Sequence, residues 1–196
     1  MGKASATRMH ILKQSFRLIY QNGYQATSID KIIETTQVTK GAFYYHFKDK
    51  EQMGLAMIRE VVAPRLEKML IRPIRETDNP LEEIFLTLEK ALLDAKDYDI
   101  QHGCPINNLI QEMSPLKDSF RSILKVIMQG WKAALVEALE KGITLGKVSA
   151  GTDTKSVADF IIVSYEGLRG TGKVYQNFNL YTSYLRQLKI YLDILK

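Results

Sequence analysis

Residues 28–47 read SIDKIIETTQVTKGAFYYHF, and the fold of the chain turns on how this stretch is read. Ile29, Ile32 and Ile33 fall at helical spacing, and Val38, Phe43 and Phe47 resume the apolar set after Thr35-Thr36-Gln37. A short apolar-faced helix, a tight turn and a second helix that exposes polar side chains make up a helix-turn-helix. Thr27 with Asp30 forms a capping-box pattern ahead of the first helix, and Thr39 can cap the second. Thr39, Lys40, Tyr44 and Tyr45 are then left facing outward. Two tyrosines facing water gain nothing for stability. Against DNA, a tyrosine hydroxyl can bond a phosphate and its ring can lie on a thymine methyl.

Upstream of this stretch, Leu12, Ser15, Phe16 and Ile19 mark a first helix, which Gly23 ends. Downstream, Asp49 with Gln52 opens a long helix through Met53, Met57 and Val61, with Pro64 as a kink and Pro73 near its end. Asn79-Pro80 places a cap before a first-turn proline and starts a helix through Leu81, Ile84, Phe85, Leu88 and Leu92. His102-Gly103-Cys104-Pro105 interrupts the pattern before a short helix holding Ile106, Leu109, Ile110 and Met113. Ser114-Pro115 predicts the start of a long helix reaching Gly142. Two last helices are expected over residues 153–176 and 180–195, parted by Asn177-Phe178-Asn179. The expectation is an all-α fold of about nine helices with no sheet.

Charge is distributed unevenly along the chain. Residues 1–50 hold eight Lys/Arg against three Asp/Glu, whereas the remainder holds 19 of each. The whole net charge of +5 therefore sits on the N-terminal quarter, the electrostatic footprint of a DNA-binding head on a neutral body. The single cysteine, Cys104, excludes an intrachain disulfide framework and is read as a small buried thiol. His10, His46 and His102 stand too far apart for metal-ligand spacing, so no metal and no cofactor is expected. No apolar run approaches the roughly 18 residues of a membrane helix, and residues 1–16 lack a signal-peptide pattern, so a cytoplasmic address without membrane attachment is expected.

The stretch from Thr7 to Leu55 closely resembles the TetR family of transcriptional regulators. The resemblance is carried by the turn at Gly23-Tyr24, by Thr27-Ser28, by Val38-Thr39-Lys40-Gly41 and by Tyr44-Tyr45-His46-Phe47-Lys48-Asp49-Lys50. Thr35-Thr36-Gln37 departs from the family's more usual Ala-Gly turn, and Gln37 must then take a conformation that glycine accepts more easily. The resemblance implies a helix-turn-helix head over residues 1–47 and a ligand-binding and dimerisation body over residues 48–196. It implies DNA contacts from Ser28, Thr39, Lys40, Gly41, Ala42, Tyr44, Tyr45, His46 and Lys50. In that scheme Lys50 neutralises a phosphate, while Phe43 and Phe47 belong to the core.

The resemblance also implies a homodimer on a palindromic double-stranded operator, with a repressor released by an apolar or amphipathic small molecule. The fourth helix is the expected lever, and a regulator with no small-molecule effector is the alternative. For the effector pocket, Met57, Phe85, Leu88, Leu109, Met113, Phe120, Met128, Trp131, Phe160 and Tyr165 have suitable apolar and aromatic character. For the dimer, the expected stripes on the last two helices are Val157, Ile161, Tyr165 and Leu168 with Tyr184, Leu188, Tyr191 and Leu192.

One motif points elsewhere. Gly167 to Lys173 fits G-x4-G-K, most of a nucleotide-binding loop. Val174 stands where the magnesium-binding Ser/Thr belongs, and the residues around the glycines keep helical spacing. The stretch is expected to be helix, and the chain is expected not to be an enzyme.

Overall fold

The computed structural model of the chain describes residues 2–93 and 100–196, and among them there is helix and turn but no strand. The residues divide into two compact units, Met1–Arg65 with Asn108–Lys125, and Leu66–Asn107 with Val126–Lys196. No described helix is long and apolar enough to cross a membrane.

The first unit begins with α1 (Lys3–Asn22), which buries Ile11, Leu12, Phe16 and Ile19 along one face. It stops at Gly23, whose φ of 88° and ψ of 159° suit a residue without a Cβ. There follow α2 (Ile29–Thr36), α3 (Lys40–His46) and α4 (Lys50–Met57). Ile32, Phe43, Phe47, Met53 and Met57 are buried in the same unit. From the later chain, Leu109, Met113, Phe120 and Leu124 are buried in this unit too.

The helical path begun by α4 runs to residue 76 through a π-turn at Ile58–Val62, α5 (Ala63–Leu66), a second π-turn at Glu67–Ile71 and α6 (Arg72–Glu76). Pro64 and Pro73 each stand just after one of these π-turns. A proline removes one helical hydrogen bond and crowds the preceding turn, and a locally widened helix accommodates both effects. Pro64, where a kink is expected, thus stands beside a change of helical register.

In the second unit, α7 (Pro80–Leu93) does start with proline in its first turn, as Asn79-Pro80 predicts. The helix α8 (Pro105–Met113) follows the Gly103-Cys104 break. The helix α9 (Asp118–Thr144) begins three residues later than Ser114-Pro115 predicts. The amides of Leu116 and Lys117 both turn back to the Met113 carbonyl, so Ser114-Pro115 belongs to a turn closing α8. Asp153 caps α10 (Thr154–Tyr175) by accepting from the Lys155 and Ser156 amides at 3.2 Å each. Gln176, at φ 46°, ends it, and Asn177 caps α11 (Phe178–Asp193). The G-x4-G-K stretch lies wholly inside α10, so it forms no phosphate-binding loop. Gly172 is there for space, because a Cβ on it would stand 2.8 Å from the Tyr181 ring.

The core of this unit gathers Leu81, Ile84, Leu88 and Leu92 of α7 with Trp131, Leu135 and Leu139 of α9. Val157, Ile161, Tyr165 and Leu168 of α10 and Leu185, Leu188 and Leu192 of α11 join it, with Leu70, Ile71 and Ile74 from the preceding helical path.

Candidate nucleic-acid interface

The cap of α2 is Ser28 rather than Thr27: its Oγ accepts from the Lys31 amide at 3.1 Å. Thr27 instead turns inward and donates from Oγ1 to the Gly23 carbonyl at 2.7 Å, where it is buried. At the other end of α2, Thr36 is buried and bonds back to the Ile32 carbonyl at 2.7 Å. Gln37 then takes the left-handed conformation, φ 56° and ψ 23°, as the missing glycine requires. Gln37 opens the turn of the helix-turn-helix, which Val38 and the extended Thr39 complete.

Thr39 caps α3 by accepting from the Ala42 amide at 3.1 Å. Each capping hydroxyl uses a lone pair and keeps its own proton free to donate outward, which suits a phosphate oxygen. Phe43 and Phe47 pack inward, 0% and 1% exposed. The opposite face of α3 presents Thr39, Lys40, Gly41, Tyr44 and Tyr45 to solvent, with Ala42 and His46 half-buried. Tyr45 is 77% exposed and Tyr44 45% exposed, high values for large aromatic side chains. A Cβ placed on Gly41 would meet nothing within 4 Å, so this glycine leaves an open approach rather than filling a packing need. Lys40 stands 3.9 Å from Asp30 in an exposed pair, which a phosphate can readily displace.

Lys50 is placed differently from the other eight residues expected at DNA. Its ammonium points into the turn between α1 and α2 and donates to the carbonyls of Tyr24 at 2.9 Å, Thr27 at 3.1 Å and Gln25 at 3.3 Å. It also stands 4.5 Å from the centre of the Tyr24 ring. Burial lowers its pKa, and the nearby Glu112 carboxylate acts in the opposite direction. All three ammonium donors have partners within the chain.

Two features of the head escape sequence reasoning. The His10 ring and the Thr36 carbonyl stand 3.3 Å apart, bridging α1 and α2. Arg8 pairs with Glu60 and lies 5.1 Å from the Phe47 ring centre, so this basic residue serves the fold rather than a free basic face.

A family model described as "Bacterial regulatory proteins, tetR family" matches residues 11–57, and a second, "Tetracyclin repressor-like, C-terminal domain", matches residues 80–188. The chain belongs to the TetR family. It is 32% identical over 133 residues to an uncharacterised helix-turn-helix regulator of Lactococcus lactis, covering 68% of each chain. It is 27% identical over 167 residues to the transcriptional repressor DhaR of a Mycobacterium species, covering 82% of this chain and 79% of that one. Among solved structures, a TetR-family regulator from Cytophaga hutchinsonii superposes with a TM-score of 0.88 at 22% identity, over 100% of this chain and 98% of that one, and shows the same fold. The protein is a TetR-family DNA-binding transcriptional regulator, and its relatives are regulators rather than enzymes.

In this TetR-family chain the residues expected to line an effector pocket are divided between the two units. Met57, Leu109, Met113 and Phe120 are buried in the first, and Leu88, Trp131 and Tyr165 in the second, where Phe85 and Met128 are partly buried. Phe160 is a correction: it is 48% exposed and packs its ring on Tyr191, 4.5 Å between centroids. It lies on the surface of the unit.

The expected dimer stripe needs a larger correction. Val157, Ile161, Leu168, Leu188 and Leu192 are each at most 7% exposed within a single chain. Tyr184 and Tyr191 are both half-buried, the Tyr184 hydroxyl 3.1 Å from the Ser164 hydroxyl and the Tyr191 ring packed on Phe160. The five aliphatic members of the stripe thus belong to the core of the second unit, while Tyr184 and Tyr191 keep part of their surface outside. Among the described residues of these helices, the large side chains left exposed are Phe160, Val163, Val174 and Tyr175 on α10 and Phe178 and Ile190 on α11, with Ile194 just past its end.

A buried polar cluster beside Tyr165 also went unseen in the sequence. Cys104 Sγ donates to Glu166 Oε1 at 3.3 Å, and Asn107 donates to the Glu166 carbonyl at 3.0 Å. Arg169, 1% exposed, donates to the Gly103 carbonyl at 2.5 Å and to the Tyr181 hydroxyl at 3.4 Å. Its only sequence signal is two charges, at positions 166 and 169, on the helical turn after a core tyrosine. Among the described residues, no group of three His, Cys, Asp or Glu side chains is placed to hold a metal ion.

Proposed function

We propose that this regulator is a repressor that grips a palindromic operator as a homodimer and is released when an apolar or amphipathic small molecule binds its helical body. The observation that carries the reading is the face of α3. Capped by Thr39 and anchored by Phe43 and Phe47, it offers Thr39, Lys40, Gly41, Tyr44 and Tyr45 to the major groove without any cost in packing. Ser28 at the start of α2 adds a phosphate contact, and Ala42 and His46 flank the groove side. The relative from Mycobacterium is described as a repressor, which supports the sign of the regulation.

Dimerisation uses the exposed face of the last two helices. Phe160, Val163, Gly167 and Val174 recur at helical spacing along α10, as do Ile190 on α11 and Ile194 at its cap. The Gly167 position is open, with nothing within 4 Å of a Cβ placed there, which allows another helix to approach closely. A second copy of the chain carries the same face, and a two-fold contact between such faces is self-complementary. Two recognition helices set about one DNA turn apart then demand an inverted repeat.

Selection of duplexes from a random double-stranded library with the full-length protein tests the reading. Enrichment of an inverted repeat with half-sites one helical turn apart is the expected result, and enrichment of no sequence would overturn it. Compounds that raise the melting temperature of the protein are then added to the complex. If those that bind leave affinity for the selected duplex unchanged, release by a small molecule is wrong and control without an effector takes its place.

A further inference from the structure

We infer that Glu112 is a positioning residue for DNA binding: with Lys50 it clamps the Gly23–Thr27 turn from two sides and so sets where the α2–α3 pair stands. The inference rests on the assignment of α3 as the recognition helix.

The turn is short, and these two side chains take two of its backbone amides and three of its carbonyls. The Tyr24 amide donates to Glu112 Oε2 at 2.8 Å and the Gln25 amide to Oε1 at 2.7 Å, so the carboxylate takes two consecutive N–H groups. The carbonyls of Tyr24, Gln25 and Thr27 accept from the Lys50 ammonium. An anion thus holds two consecutive donors of the turn and a cation three of its acceptors, each by charge-assisted hydrogen bonds, which are stronger than neutral ones. Gly23 is required twice. Its φ of 88° is strained for any residue with a Cβ, and a Cβ there would stand 3.3 Å from both Glu112 carboxylate oxygens. Beneath the turn, the buried Tyr24 ring packs edge-on against Phe120 at 4.8 Å, and a Cβ at Gly54 would stand 2.6 Å from it.

Glu112 lies 88 residues from Tyr24 in the chain and outside the residues that match the family's N-terminal model. The helix-turn-helix therefore draws part of its support from α8. The α2–α3 pair is held together by its own caps and by Ile32, Phe43 and Phe47, so it keeps its internal geometry if the clamp is loosened. What changes is its placement relative to α1, and a displaced recognition helix loses base contacts while its charge is unaltered. Placing Lys50 in the clamp also means that it is not a counter-ion for phosphate.

The test uses the full-length chain, the best duplex from the library selection and a scrambled duplex of equal length. Glu112→Gln keeps the size of the side chain but turns an amide N–H₂ toward one of the two backbone donors. Affinity for the selected duplex is expected to fall at least about tenfold, the loss of one charge-assisted hydrogen bond. Affinity for the scrambled duplex and the salt slope for either are expected to stay the same. Lys50→Met is expected to act in the same way, and the double variant to lose less than the two single losses combined. Hydrogen exchange gives a second readout: in Glu112→Gln the Tyr24 and Gln25 amides exchange faster while those of α2 and α3 stay protected. Unchanged affinity for the selected duplex overturns the proposal. So does a Glu112→Gln chain that loses its helical signal throughout, which would make the role purely structural. A Lys50→Met variant that weakens binding to both duplexes and lowers the salt slope by one contact returns Lys50 to the phosphate backbone.

Discussion

The thiol of Cys104 donates to Oε1 of Glu166 across 3.3 Å, while the second oxygen of that carboxyl group, Oε2, is enclosed and has no hydrogen-bond partner among the described residues. Burial raises the Cys104 thiol well above its usual pKa, with the Glu166 charge adding to the effect, so this cysteine stays protonated and unreactive at neutral pH. Burial also lifts Glu166 to about 7, against the opposing influence of the Cys104 hydrogen bond and Arg169.

Stability should depend on pH through Glu166. Its folded pKa of about 7 lies above the ordinary 4.5, so the folded chain holds a proton that the unfolded chain releases between those values. Stability contributed here is present below pH 4.5 and falls as pH rises toward 7, by on the order of 3 kcal/mol at most. Urea unfolding at pH 5 and pH 8 should show this loss in the wild type and a smaller one in Glu166→Gln. Equal losses in the two chains would mean that Glu166 does not titrate in this range.

The exposed face of α10 can be tested with one charge. Val163 is 70% exposed in the single chain, so Val163→Asp should leave its helicity and core intact. A carboxylate buried between two copies is costly, and the dimer dissociation constant should rise at least about a hundredfold. Sedimentation equilibrium reads the change directly. Val157→Asp, in the core, should instead unfold the chain.

On the recognition helix, Tyr45→Ala removes a side chain that is 77% exposed. Unfolding free energy should stay within about 0.5 kcal/mol of wild type. Affinity for the selected duplex should fall on the order of tenfold, as for the loss of a base or phosphate contact. Lys40→Ala should lower affinity for selected and scrambled duplexes alike and reduce the salt slope by about one. Anisotropy titrations at three salt concentrations separate the two patterns.

Gly172 offers a test of packing. Alanine there would bring a Cβ to 2.8 Å from Tyr181, a fully buried ring. Gly172→Ala should destabilise the chain by about 1–3 kcal/mol despite the better helix propensity of alanine. Adding Tyr181→Leu should recover part of the loss, measured by chemical denaturation.

The helix-turn-helix was legible because its signals are local. Thr39 and Asp49 cap the helices they precede, Gln37 takes the left-handed turn, and the Ile32, Phe43 and Phe47 spacing names the buried face. Where local signals compete, reading by pattern slips by a residue or a turn. Ser28 displaced Thr27 as cap because Thr27 found a carbonyl to bond at Gly23. Ser114-Pro115 became the end of one helix rather than the start of the next.

By itself, then, the sequence determined the all-α class, the family, and the side chains that α3 shows to solvent. These are set by caps, turns and periodicity acting over one or two turns of helix. Only the tertiary structure decided that the 157–168 stripe faces its own chain, that Phe160 lies outside, and that Lys50 turns inward. It alone brought Glu112 to Tyr24 across 88 residues and Cys104 to Glu166 across 62. A helix apolar on more than one face does not specify which stripe its own fold will cover. A charged side chain likewise settles on whichever unpaired backbone groups packing brings within reach, and those are fixed by residues far away in the chain.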